Sequence, residues 1–199
     1  KEHLFIRPLE LTAYQRDKII NTIIKKYSDK ADLMNSLVVT VFLRCHHLEV
    51  GTGFLAQFVD FKHDAETLPC CISLEDVITI FELAIPDAER TSNGAVYTPS
   101  YIRNYIVGQV LHSATKSLDT CLCADISCGC GAFLYTLAET IHKRTQAPFA
   151  FIYHHLYGVD ISEMSITRAK ILLSLVALLH GETIEEEDFN LYSGNSLIF

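Results

Sequence analysis

Two acids and a pair of glycines carry the chemistry that this chain can be expected to do. Asp125 opens the run Asp125-Ile126-Ser127-Cys128-Gly129-Cys130-Gly131-Ala132-Phe133-Leu134, and Asp160 closes the run Tyr157-Gly158-Val159-Asp160. Gly129 and Gly131 lack a Cβ, so the backbone there can swing close to a ligand. A carboxylate at the end of each run can accept from N–H or O–H groups, and one carboxylate can take two ribose hydroxyls at once. Phosphate chemistry fits poorly. The dinucleotide fingerprint asks for a third glycine three residues after Gly131, where Leu134 stands, and a P-loop asks for a lysine where Ala132 stands. The remaining turn suits a ligand with a positive charge and no phosphate.

The elements that must position these groups follow from the flanking sequence. Small apolar residues from Cys121 to Ala124 predict a buried parallel strand ending at Asp125, and Ala132 to Glu139 predicts the helix after the turn. The stretch Phe149–Asp160 predicts a second strand ending in the second acid, with an insertion over Phe149–His155. In a βαβ unit the two strands run parallel, so both acids fall at one sheet edge, where open α/β folds bind their ligands. An apolar helix over Met164–Leu179 should cover the sheet. Upstream, residues 1–90 read as helical. Thr12 caps a helix through Ile19, Ile20, Ile23 and Ile24 to Lys25 and Lys26, and a second runs from Ala31 to Leu48. Ser73 with Asp76 forms a capping box ahead of Val77–Ile85, which Pro86 stops. Thr98 or Ser100 caps a further helix with Pro99 near its first turn.

The run from Asp125 to Leu134 resembles the S-adenosylmethionine-binding motif of amino-directed DNA methyltransferases, usually Asp-Pro-Ala-Cys-Gly-Ser-Gly-Ala-Phe-Leu. Ile126, Ser127 and Cys130 depart from that pattern. Three other stretches resemble the same family in the family's order: Gly94-Ala95-Val96-Tyr97-Thr98-Pro99, Gly158-Val159-Asp160-Ile161, and Ser193-Gly194-Asn195-Ser196-Leu197. The resemblance implies that Tyr97 and Thr98 line the methionine end of the cofactor, with Thr98 bonding its carboxylate. It likewise implies that Asp125, Ser127, Gly129 and Gly131 form the cofactor turn. Asp160 would hold the ribose and Ile161 would touch the adenine face. Asn195 stands where the family usually has an acid, and its amide oxygen can still accept from the adenine amino group.

Composition bounds the rest. The chain has 199 residues, 49% hydrophobic and 20% charged, enough to build a core. Its formal net charge of −8, without a dense Lys/Arg run, is the wrong sign for gripping a phosphate backbone. DNA, if bound, is expected to be held by parts of the parent protein outside this chain. The seven cysteines lack the spacing of a secreted disulfide scaffold, and those around the glycine turn read as small apolar residues. The adjacent pairs His46-His47 and His154-His155 rarely converge on one ion, so no metal site is expected. With no long apolar segment or leader pattern, the expected address is cytoplasmic.

The expected fold class is α/β: a partial doubly wound, Rossmann-like parallel sheet preceded by a helical N-terminal region. The expected division is 1–90 helical and 91–199 the first half of an S-adenosylmethionine-binding domain. The resemblance implies transfer of a methyl group to adenine N6 by the parent protein, in a restriction-modification or related defence system; N4-cytosine enzymes look similar over these motifs. The family's catalytic Asn/Asp-Pro-Pro-Tyr/Phe motif has no counterpart, since no Pro-Pro pair occurs, so no catalytic residue is assigned and the chain alone is expected to be inactive. Two alternatives stay open: a non-catalytic interaction module with a decayed cofactor pocket, and a nucleotide-dependent oxidoreductase. The bare edge of the first strand is expected to be covered by the N-terminal helices or by self-association.

Overall fold

The computed structural model describes residues 12–59, 72–85, 98–114, 117 and 120–198. Helix α1 (Ala13–Tyr27) begins with a capping box in which Thr12 Oγ1 accepts the Gln15 N–H and Gln15 Oε1 accepts the Thr12 N–H. It buries Ile19, Ile20, Ile23 and Tyr27, a helical spacing. Helix α2 (Ala31–His46) ends where His47 turns left-handed at φ 53°, and a 3₁₀ turn spans Phe54–Phe58. Helix α3 (Leu74–Leu83) starts from the expected Ser73–Asp76 capping box. Helix α4 (Ser100–His112) follows Pro99 and has no side-chain cap, so neither Thr98 nor Ser100 plays the capping role expected of it.

Three parallel strands follow, β1 (Cys123–Asp125), β2 (Leu156–Asp160) and β3 (Asn190–Ser193), in the order β1-β2-β3. Cys123 pairs with Leu156 and Asp125 with Gly158, while Gly158 pairs with Leu191 and Asp160 with Ser193. Helix α5 (Ala132–Thr145) joins β1 to the segment before β2. That segment corrects the sequence expectation, because Phe149–Tyr153 is the short helix α6 rather than strand. Glu182, distant in sequence, accepts the Phe149 and Ala150 N–H groups at 2.9 and 3.2 Å and caps it. Phe149, Ile152 and Tyr153 are buried, and the Tyr153 hydroxyl donates to the Leu173 carbonyl at 2.7 Å. The aromatic run favours strand by propensity, and tertiary packing overrides it.

Helix α7 (Glu163–Leu179) is the centre of the molecule, buried on nearly all sides as an all-round apolar helix must be. One side covers β2 and β3; α2, α3 and the 3₁₀ turn pack on the others. Arg168 crosses that junction, donating to the Phe81 carbonyl at 3.0 Å and to Asn35 Oδ1 at 3.3 Å. The N-terminal helices therefore cover α7 and share its core; among the described residues they are not the cover for the β1 edge, the first of the two expected, and Leu122 beside that edge is 67% exposed. Leu156, Gly158 and Leu191 are buried beneath the helices, whereas Tyr157 and Tyr192 alternate to the opposite face and are exposed. No described helix is long and apolar enough to cross a membrane.

Candidate functional site

The site begins where β1 ends. Asp125 Oδ1 accepts the Ser127 N–H at 3.1 Å, an Asx turn that bends the chain out of the strand. The Cys128 N–H then reaches across to the Val159 carbonyl at 3.0 Å, holding the turn against β2 beyond the formal pairing. Gly129 and Gly131 both adopt the left-handed region, φ 52° and 83°, which glycine enters without a Cβ penalty. Their surroundings differ. A Cβ on Gly131 would lie 2.9 Å from the Ala169 Cβ, so that glycine lets α5 start hard against α7. A Cβ on Gly129 would meet nothing within 4 Å; space is open there.

Asp160 closes the other side. Its Oδ2 accepts the Gly129 N–H and its Oδ1 the Ser162 N–H, both at 2.9 Å, while its own carbonyl accepts the Gly194 N–H at 2.8 Å. Ser162 in turn caps α7 by accepting the Ser165 N–H. One residue thus ties together the glycine turn, the start of α7 and the loop after β3. Helix capping, the function-free explanation for this aspartate, accounts for only one of these bonds.

The electrostatics are those of a partly dry, acidic pocket edge. Burial raises the Asp125 carboxyl above its ordinary range; the Ser127 N–H opposes this and Asp160 reinforces it. Burial also raises the Cys128 thiol, with Asp125 and Asp160 adding to the shift, and pushes Cys130 up to about 12 against the pull of Arg168. Thiols held protonated in this way are packing groups, not nucleophiles.

A second layer was not legible in the sequence. Arg103, wholly buried, donates through Nη2 to both Glu75 oxygens at 2.7 Å, through Nη1 to the Thr98 carbonyl at 2.6 Å, and through Nε to Thr136 Oγ1 at 3.3 Å. It fixes the Thr98 segment to α3 and to the first turns of α5. Glu82, in the same α3, has its carboxyl pushed up to about 7 by burial, against the opposing pull of Arg103 and with Glu75 adding to the rise. The contacts of Arg103 are 5 to 33 residues apart in sequence and leave no local pattern. The charged residue Glu82 within the apolar run Val77–Ile85 was the one visible signal.

Of the residues expected to bind a cofactor, Asp125, Ser127, Gly129, Gly131 and Asp160 converge. Ile161 follows directly and is 59% exposed. Thr98 is joined to the start of α5 through Arg103, and Tyr97 lies outside the described residues. Asn195 neighbours the tethered Gly194, but its Oδ1 accepts the Leu197 N–H at 3.0 Å, so that oxygen is already shared with a local turn. The arrangement fits a nucleoside ligand at one point above all: the open space over Gly129, between two strand-end carboxylates. A separate small pocket, lined by Gly51, Leu55, Ser174, Leu178 and Thr183, lies toward the other end of α7 and holds none of these groups.

Residues 78–198, more than half of the chain, match a family model described as N-6 DNA Methylase. Among solved structures the chain is similar to a protein from Listeria monocytogenes assigned as a class I S-adenosylmethionine-dependent methyltransferase, with TM-score 0.42 and 15% identity. The alignment covers 92% of this chain and 55% of that one, so this chain spans about half of that protein's length. A comparison with curated protein sequences returns no match.

Proposed function

This chain belongs to the N-6 DNA methylase family, and on that premise we propose that it forms the donor-binding portion of a DNA methyltransferase acting on adenine N6. The methyl donor of the family is S-adenosylmethionine, whose sulfonium supplies an electrophilic methyl group. The remaining work falls to the protein as orientation and electrostatics. Asp160, already aligned by two backbone N–H groups, keeps lone pairs free for the ribose hydroxyls. Ile161 offers an exposed apolar surface to the adenine, and the Asn195 amide serves its edge. Tyr97, Thr98 and Ser127 complete the methionine end with Asp125 and the two glycines.

The observation that carries this reading is the Asp160–Gly129 bond beside open space. It joins the two strand ends on which the donor site depends and leaves the bend unplugged. The acceptor adenine and the duplex are assigned to parts of the parent protein outside this chain, in keeping with the charge of −8 and the lack of a Pro-Pro pair. A restriction-modification or related defence system is the proposed setting. Calorimetric titration with S-adenosylhomocysteine tests the reading: saturable binding that Asp160→Ala abolishes is expected. No binding, or a thermal shift with NAD alone, would return the chain to the interaction-module or oxidoreductase alternatives.

A further inference from the structure

Glu82 presents an acceptor with nothing to accept. Its Oε2 is enclosed, within the core side of α3, and receives no hydrogen bond. The neighbouring cation does not answer it. Arg103 gives its Nη2 to both oxygens of Glu75 and its other nitrogens to the Thr98 carbonyl and the Thr136 hydroxyl. Arg168, on the α7 side, gives its Nη1 to the Phe81 carbonyl and its Nε to Asn35. An enclosed carboxylate oxygen without a donor is costly, and native proteins rarely carry one without a use.

The place of this oxygen says what would use it. Glu82 lies two turns along α3 from Glu75 and on the same face, and Arg103 ties that Glu75 to the Thr98 segment; the carbonyl of the preceding Phe81 accepts from Arg168, whose neighbour Ala169 packs against Gly131 of the glycine turn. Glu82 thus belongs to the junction between the Thr98 segment and the glycine turn, the end of the site assigned to the donor's amino acid. The group wanted there is compact, cationic and rich in N–H donors. We propose that Glu82 receives the α-ammonium group of the donor's methionine moiety, the orphaned Oε2 acting as its acceptor. This rests on the proposed donor site and adds to it an anchor 43 residues upstream of Asp125. Among the described residues, Arg103 and Glu75 act on the Glu82 carboxylate, and Glu82 in turn helps to raise the Cys130 thiol.

The test is calorimetry of the whole chain with two ligands, S-adenosylhomocysteine and 5′-methylthioadenosine, which keeps the nucleoside and thioether but lacks the amino acid. Glu82→Gln is expected to weaken S-adenosylhomocysteine at least tenfold and to leave 5′-methylthioadenosine within twofold of wild type. Unchanged binding of S-adenosylhomocysteine, or an equal loss of both ligands, would overturn the assignment while leaving the donor site standing. Failure of the wild type to bind either ligand would overturn both. If Glu82→Gln does not fold, Glu82→Asp takes its place in the same comparison, since withdrawing the carboxylate by one methylene should again weaken only the amino-acid-bearing ligand.

Discussion

The Asp160 carboxylate and the Gly129 N–H meet at 2.9 Å, joining the end of β2 to the bend that follows β1. A charge-assisted bond of this kind is worth about 1.5–3 kcal/mol. Here it also sets the distance between the two acids, because the same turn is anchored on Asp125 through the Ser127 N–H.

Asp160→Asn should therefore act on its neighbour as well as on itself. Losing the charge removes one of the influences that raise the Asp125 carboxyl, so Asp125 is expected to titrate at lower pH in the variant. NMR titration of the Asp125 side chain reads this directly. Stability should fall by about 1–3 kcal/mol, since an amide has one oxygen for the two N–H groups that Asp160 serves.

The two glycines should separate stability from binding. Gly131→Ala combines left-handed strain with a Cβ 2.9 Å from the Ala169 Cβ, for an expected loss of about 2–4 kcal/mol in urea denaturation. Gly129→Ala meets no atom within 4 Å and should lose only the left-handed penalty of about 1–2 kcal/mol. Its methyl nonetheless enters the open space, so S-adenosylhomocysteine affinity should drop by an order of magnitude or more. Equal behaviour of the two variants would contradict the geometry.

Arg103 is buried completely and holds three residues through four acceptor atoms, so Arg103→Ala leaves Glu75 and Thr136 without their donor. Removing one member of a buried pair costs about 3–5 kcal/mol, and the 43% exposure of Glu75, which lets it rehydrate, places this case near the lower figure. Arg103→Lys keeps the charge and loses the fork, and should recover part of the loss. Chemical denaturation of the three proteins in parallel gives the ordering.

Glu82 fixes a pH signature. Its folded-state carboxyl lies at about 7 against an unfolded value of 4.5, so the folded state holds the proton more tightly. The wild type should lose stability as pH rises from 4.5 to 7 and level off above. Partial solvent exposure reduces the effect to about 1–2 kcal/mol. Glu82→Gln, without the titration, should be the more stable protein at pH 8 by about that amount, and the difference should close toward pH 4.5. Parallel thermal melts across this range would expose the opposite slope if the sign were wrong.

The edge of β1 supports a prediction about assembly. β1 has a strand neighbour on one side among the described residues, and Leu122 beside it is 67% exposed. We propose that isolated chains associate through this edge, and that Leu122→Lys returns them to monomer, because charge on an edge strand opposes pairing. Sedimentation velocity over a range of concentrations decides it.

The amino-acid sequence by itself determined whatever is encoded within a few residues. The helix cap at Thr12, the capping box at Ser73, the bend at Gly129 and Gly131, and the acid closing β2 are all short-range geometry, and each is found where the local pattern put it. Tertiary structure alone decided the rest. Phe149–Tyr153 became a helix because Glu182 arrives to cap it and Leu173 to receive its tyrosine. The N-terminal helices chose α7 over the β1 edge because α7 is apolar on nearly every side and demands cover on all of them. Arg103 found Glu75 across 28 residues, leaving Glu82 Oε2 without a hydrogen bond. Partnerships of that span depend on the whole packing, and no local sequence pattern encodes where a buried charge will find its partner.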